Sequence, residues 1–335
     1  MTFIGPDMLQ ALRRCSARQP VTRDATAFDI VLQQSPFSLR RYHLPDRQPG
    51  GKPLLLVYST VNRPDLLDLS PRRSMLRRLL EAGHDVYLVD WGRPLSADCL
   101  LDLDDYVEDF LGRVVRRLRP LNQDQPLNAI GICQGGIFLS CYAALHPEAI
   151  GRLVNMAVPL NPPASPHGLG HLAATWQSTA PADGNIPGPA LSAAFTALKP
   201  TDLMIRRYAS LPEVTGNDEA LDDFLHLEAW MYDCPDQPAA LFNQFVEGIY
   251  QQGALLSGDL RIADRQVNLA AIRARVLSII AESDHLVPPD VTTGLEHLLR
   301  PEQYTSQCLP GGHLGLFTGG RQGRAAVQHI VDWLR

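Results

Sequence analysis

Leu127-Asn128-Ala129-Ile130-Gly131-Ile132-Cys133-Gln134-Gly135-Gly136 reads as a short apolar strand that enters a tight glycine turn. A helix-forming run follows at once, Ile137-Phe138-Leu139-Ser140-Cys141-Tyr142-Ala143-Ala144-Leu145. Strand, G-x-C-x-G, helix is the order in which a parallel sheet presents a nucleophile on a sharp turn at a strand end. Glycines flank the central residue because the backbone is strained and crowded there. Elsewhere a buried cysteine is a small core hydrophobe. At the apex of this turn Cys133 reads as a nucleophile, and a thiol suits acyl groups that arrive as thioesters and must leave again. Cys141, two turns along the helix, reads as packing.

On either side of this stretch, short apolar runs alternate with helical patterns, the mark of a parallel sheet covered on both faces. Strands are expected at Leu54–Tyr58, Val86–Asp90, Leu127–Ile132, Leu153–Val158, Val276–Ala281 and Tyr304–Leu309, with a further one at Phe37–His43. Helices are expected at Arg72–Ala82, Leu103–Leu118, Gln134–Leu145, Val291–Leu299 and Arg321–Trp333, with Asp102 or Asp104 capping the second. The rhythm breaks after Pro159, where prolines cluster and apolar spacing turns helical through Asp222–Met231 and Ala239–Tyr250. The reading is an α/β-hydrolase fold: a mostly parallel central sheet flanked by helices, with a helical cap inserted after the sixth strand. Residues 1–164 and 266–335 form the core, and 165–265 the cap.

In this architecture an acid and a histidine follow the nucleophile in that order, each after a late strand. Val276–Ala281 ends in Glu282-Ser283-Asp284-His285, which puts Asp284 at the carboxyl end of a strand. The next strand leads into Pro310-Gly311-Gly312-His313-Leu314-Gly315. His313 is expected to take the proton of Cys133, and Asp284 to orient the imidazole and stabilise its cation. The oxyanion hole needs two backbone N–H groups, assigned to Gln134 and to Val61 in Ser59-Thr60-Val61-Asn62-Arg63-Pro64. Glu282 stands one position too early for the acid, and His285 reads as structural. His167 and His171 are four apart, but Gly168 and Gly170 argue against a metal-binding helix. Arg72, Arg73, Arg77 and Arg78 read as a solvated helix face before a phosphate site.

The net charge of −6 argues against a nucleic-acid partner. Six cysteines without CxxC spacing exclude the usual zinc and iron–sulfur patterns and fit a reducing cytoplasm. No apolar stretch approaches the roughly 20 residues of a membrane helix, and the N-terminus lacks a signal-peptide core.

Further segments carry a resemblance. They are Val57-Tyr58-Ser59-Thr60-Val61-Asn62-Arg63-Pro64, Gly83-His84-Asp85-Val86-Tyr87-Leu88-Val89-Asp90-Trp91-Gly92 and Trp230-Met231-Tyr232-Asp233-Cys234-Pro235-Asp236-Gln237. Asp284-His285-Leu286-Val287-Pro288-Pro289 and Gly311-Gly312-His313-Leu314-Gly315 complete the set. With the cysteine elbow, the chain resembles the polyhydroxyalkanoate (PHA) synthases, specifically the catalytic subunit of the two-subunit class III enzymes. It departs from them at Pro159-Leu160-Asn161-Pro162 and at Phe317-Thr318-Gly319-Gly320, both near the expected mouth of the site. The resemblance implies an acyltransferase that polymerises 3-hydroxyacyl-CoA, foremost 3-hydroxybutyryl-CoA, into polyester through an acyl-S-Cys133 intermediate. Coenzyme A thioester is then substrate, and no separate cofactor is expected. Implied partners are the growing polyester, a second synthase subunit (PhaE-type) and a second copy in a homodimer, at the surface of cytoplasmic PHA granules. The base for the incoming hydroxyl, His313 or Asp284, stays open. A thioesterase or polyester depolymerase on the same fold, and a non-enzymatic granule-surface scaffold, are the alternatives.

Overall fold

Alternation at single-residue spacing builds the sheet. In the computed structural model, which describes residues 5–18, 25–47, 50–165, 168–178, 184–318 and 320–335, Leu54 and Leu56 face one side and Leu55 and Val57 the other. The same two-faced burial holds for Val86/Leu88 against Tyr87/Val89. Such strands need cover on both faces, as a parallel sheet has.

Eight strands form the sheet: β1 (Phe28–Gln34), β2 (Phe37–Tyr42), β3 (Pro53–Val57), β4 (Asp85–Asp90), β5 (Leu127–Ile132), β6 (Ile150–Met156), β7 (Arg275–Ala281) and β8 (Tyr304–Leu309). Their order is β1-β2-β4-β3-β5-β6-β7-β8. β1, β2 and β4 pair antiparallel, and all other neighbours are parallel. Two arginines tie the antiparallel end. Arg41 of β2 grips Asp85 through Nε and Nη2, both at 2.9 Å, and buried Arg40 pairs with Asp90.

Helices α1 (Pro6–Ala17), α2 (Met75–Glu81), α3 (Leu111–Leu118), α4 (Gln134–Leu145), α5 (Gly188–Ala197), α6 (Asp218–Met231), α7 (Ala239–Gln244) and α8 (Arg321–Leu334) complete the main elements. α2 and α8 cover the Leu54/Leu56 face, and α3 and α4 the opposite face. Each fully buried leucine or isoleucine here contributes about 1.5–3 kcal/mol relative to exposure.

Most expected elements are present with shifted ends. β1 was not foreseen, because an edge strand with Asp29, Gln33 and Gln34 shows no clean alternation. The helix expected from Arg72 begins at Met75. Ser74 caps it by accepting from Arg77 N at 2.8 Å, and Arg73–Ser74 instead pair with Asp68–Ser70. Asp102 is the cap before α3, accepting from Asp104 N at 2.9 Å, and residues Asp105–Phe110 make a π-helical turn. The continuous helix expected over Val291–Leu299 does not form. Gly294, at φ 120°, separates a 3-10 turn (Pro289–Thr292) from a single helical turn (Leu295–Leu298).

The long excursion between β6 and β7 follows the sixth strand of the sheet and is mainly helical. Its second half joins the core: Leu241, Phe245, Ile249, Leu255, Leu260 and Ile262 pack in the cluster that contains Leu55 and Val57. A separate small cluster joins Ile186 and Leu191 to Cys234 and Ala239, with Val61 packed against them. Arg72 and Arg73 are not a free helix face. They pair with Glu219 and Asp223 of α6, while Arg14 and Arg18 of the N-terminal segment hold Asp218 and Asp222. Arg77 pairs with Glu81, and Arg78 donates to the Arg72 carbonyl. These exposed pairs are worth about 0–1 kcal/mol each. Among the described residues, no helix is long and apolar enough to cross a membrane.

Candidate active site

Cys133 sits between β5 and α4 with φ 52° and ψ −123°. A side chain other than glycine in that region costs of order 1–3 kcal/mol, so the strain rests on Cys133 and not on the flanking glycines. Those glycines are there for close approach. A Cβ on Gly131 would stand 2.3 Å from Gly136 Cα, on Gly135 2.2 Å from Val57 O, and on Gly136 2.1 Å from a methyl of Val158. Cys133 N–H donates to Met156 O at 2.9 Å, so the elbow is tied to β6.

For Gly135→Ala we expect a loss of about 2–4 kcal/mol in denaturant unfolding, because the obstructing atoms are β3 backbone that cannot swing aside. A wild-type midpoint would contradict this packing.

Two loops bring the distant partners in. Asp284 follows β7, and its Oδ1 accepts from Leu286 N and Val287 N, both at 2.9 Å. That leaves Oδ2 facing His313 Nδ1 at 2.7 Å. His313 follows β8 and opens a 3-10 turn, its ring edge-on to Phe317 at 5.2 Å. Ser283 N–H donates to Gly311 O at 2.9 Å, which fixes one loop on the other. Cys133 is the next group after Asp284 to act on the His313 ring, and like Asp284 it favours the imidazolium. The structure therefore joins His313 to Asp284 and sets Cys133 near enough to influence the imidazole. Glu282 is exposed and the carboxylate on the imidazole is that of Asp284.

Burial is the largest influence on His313 and disfavours its cation. The charge and hydrogen bond of Asp284, followed by those of Cys133, outweigh it and raise His313 to about 10. The imidazolium is then the prevailing form at neutral pH.

Gln134 opens α4, where a helix N-terminus leaves backbone N–H groups without intrahelical acceptors. Its side chain is buried and turned back to the 59–61 loop. Gln134 Oε1 accepts from Thr60 N at 3.0 Å, Thr60 Oγ1 at 2.7 Å and Ser59 Oγ at 3.2 Å. Val61 N–H donates to Ser59 Oγ at 3.0 Å, so that hydroxyl holds the N–H in this state.

Sequence reasoning missed two tyrosines. Burial, then the proximity of Cys133, pushes the Tyr58 phenol well up; for Tyr250 the sequence is burial, Cys133 and Asp284. Both phenols therefore stay protonated. Tyr58 lay in a quoted motif, next to Ser59. Tyr250 sits on the insertion, and nothing in its local pattern sets it apart from a core aromatic.

Among the described residues, no group of three or more His, Cys, Asp or Glu side chains is arranged to hold a metal ion. His167 lies outside those residues. All six cysteines are free thiols.

The profile of the alpha/beta hydrolase fold family matches residues 64–320. The chain is 36% identical over 312 residues to the poly(3-hydroxyalkanoate) polymerase subunit PhaC of Allochromatium vinosum, covering 91% of this chain and 87% of that one. It is 37% identical over 319 residues to the subunit of the same name from Synechocystis sp., with 92% and 84% covered. Among solved structures, the thioesterase domain from the curacin biosynthetic pathway superposes with a TM-score of 0.52 at 14% identity, covering 92% of this chain and 99% of that domain. This last likeness is one of fold.

Proposed function

The chain belongs to the poly(3-hydroxyalkanoate) polymerase family of the α/β-hydrolase superfamily, and on that premise we propose that it polymerises 3-hydroxyacyl-CoA, with short chains such as 3-hydroxybutyryl-CoA preferred. The observation that carries this reading is a thiol on the strained elbow that, with a buried carboxylate bonded to the ring, favours the imidazolium of His313.

In the first half-reaction Cys133 Sγ attacks the thioester carbonyl carbon while the proton resides on His313. The carbon–sulfur bond to coenzyme A breaks, and His313 returns the proton to the departing thiolate. Backbone N–H groups of Gln134 and Val61 receive the negative oxygen, and the Ser59 hydroxyl turns away from Val61 to admit it. One thioester replaces another, so loading is nearly balanced in free energy. In the second half-reaction the hydroxyl of a further acyl unit attacks the acyl-S-Cys133 carbonyl. His313 takes its proton, an oxoester forms and the thiolate is released. Attack of an alcohol on a thioester runs downhill, which makes sulfur the fitting nucleophile.

Water would divert the intermediate to free acid. Residues 165–265 act as a cap, and the apolar cluster around Ile186, Leu191 and Cys234, with Val61 against it, supports that role. A smaller second subunit, a homodimer and a place at the granule surface complete the proposal.

The deciding experiment mixes the purified chain, with and without its candidate second subunit, with 3-hydroxybutyryl-CoA and follows free thiol and turbidity together. Thiol release with growing turbidity is expected, faster with the second subunit present. Thiol with soluble 3-hydroxybutyrate would make the chain a hydrolase. Neither product under any condition would favour a scaffold.

A further inference from the structure

The N–H groups of Thr60 and Val61, on the loop after β3, are held by side chains. Thr60 N–H goes to Gln134 and Val61 N–H to Ser59, and the Asn62 backbone acts on the Cys234 thiol, favouring its charged form. The insertion supplies more than Cys234. Trp230 Nε1 donates to Arg63 O at 2.7 Å, and Gln237 Nε2 to Thr60 O at 2.8 Å. Gln237 is 1% exposed, and its own backbone is held by two hydrogen bonds to Ile186, at 2.8 and 2.9 Å. Its Nε2 also faces the carbonyls of Pro235 and Asp236, so three acceptors identify that end of the amide as nitrogen. Its Oε1 meets the Thr60 hydroxyl, whose single proton goes either to this oxygen or to Gln134 Oε1.

Thr60 C=O and Val61 N–H belong to one trans peptide unit, in which they point in opposite directions. A hydrogen bond that fixes the carbonyl therefore aims the N–H. The loop needs such fixing, because Asn62 holds φ 63°, a conformation that persists only where its surroundings impose it. We propose that Gln237 is a positioning residue for the oxyanion hole: it orients the Thr60–Val61 peptide from the insertion side while Gln134 holds Thr60 from the elbow side. The insertion thereby sets the geometry of the reaction as well as covering it. Gln does what neighbouring residue types cannot. Glu would set an oxygen against the Thr60 carbonyl, and Leu offers neither donor nor acceptor.

This rests on the reading of Cys133 as nucleophile and Val61 as oxyanion donor. The test compares two reactions of the same sulfur in Gln237→Leu. Acylation by 3-hydroxybutyryl-CoA builds negative charge on oxygen, whereas alkylation by iodoacetamide displaces iodide and builds none. Single-turnover acylation should slow about 10- to 100-fold at saturating substrate, with KM changed less than about threefold and alkylation of Cys133 unchanged. Thr60→Val, which keeps the side-chain shape and deletes only the hydroxyl, should show the same signature in milder form. Unaltered acylation in Gln237→Leu overturns the proposal. So does a parallel loss of acylation and alkylation in both variants, which assigns Gln237 to folding. The underlying reading fails separately: Cys133→Ala would then turn over substrate as wild type does.

Discussion

Cys133→Ala is expected to lower thiol release from 3-hydroxybutyryl-CoA by about 10⁵-fold or more, to background. The variant removes the sulfur and leaves the elbow, the His313–Asp284 pair and the 59–61 loop in place. Residual turnover from the binding groups alone is small, because the proposed mechanism has no covalent route without the thiol. Cys133→Ser sharpens the point. A serine would load, if at all, as an oxoester, and attack on that ester by the next hydroxyl exchanges one oxoester for another without a driving force. The expected result is at most one hydroxyacyl group per chain by intact mass, and no turbidity. Polymer from the serine variant would show that sulfur is not needed for chain growth, and full activity of the alanine variant would remove Cys133 from the mechanism.

Asp284→Asn is expected to lower acylation by about 10²–10⁴-fold, as loss of the orienting carboxylate does in related triads. The cause is the charge balance on His313. Burial, the largest influence, opposes the imidazolium, and Asp284 is first among the groups that overcome it. Without that carboxylate burial prevails, the imidazole is neutral at pH 7, and its tautomer is no longer held. The sign for stability follows. A histidine raised from 6.5 to about 10 contributes stability that is fully present below 6.5 and is lost as pH rises through 10. The unfolding free energy of the wild type should therefore exceed that of Asp284→Asn by most between about pH 5 and 6.5. The gap should narrow steadily toward pH 10. A gap independent of pH over this range would mean that Asp284 does not hold His313 in its charged form.

Much of this was legible in the chain. Apolar runs bounded by turns gave away the inner parallel strands, because two-sided burial leaves an unbroken hydrophobic signature, and Phe37–His43 and the half-exposed edge strand Tyr304–Leu309 were expected as well. Polar β1 carried no such signature. Over Val291–Leu299 the apolar spacing suited a helix, but Gly294 adopts a backbone conformation that breaks it. Periodicity reports which residues seek the core, and it is silent on a single dihedral angle. The residues brought together at the site were readable for a related reason. Gly131, Gly135 and Gly136 mark a place where backbones must nearly touch, and chain order after the elbow leaves few candidates for an acid and a histidine at strand ends.

What reads from the chain is thus whatever is encoded by neighbours: burial rhythm, glycine at a close approach, a nucleophile at a strand end. Contacts between residues far apart were decided by folding. Thr60 and Gln237 are separated by 177 positions, and nothing local announces that they will meet. The influence of Cys133 on Tyr250 and the grip of the insertion on the 60–63 loop belong to this second kind. They depend on how rigid elements pack in three dimensions, where a buried polar group must find a partner from whatever segment the fold delivers.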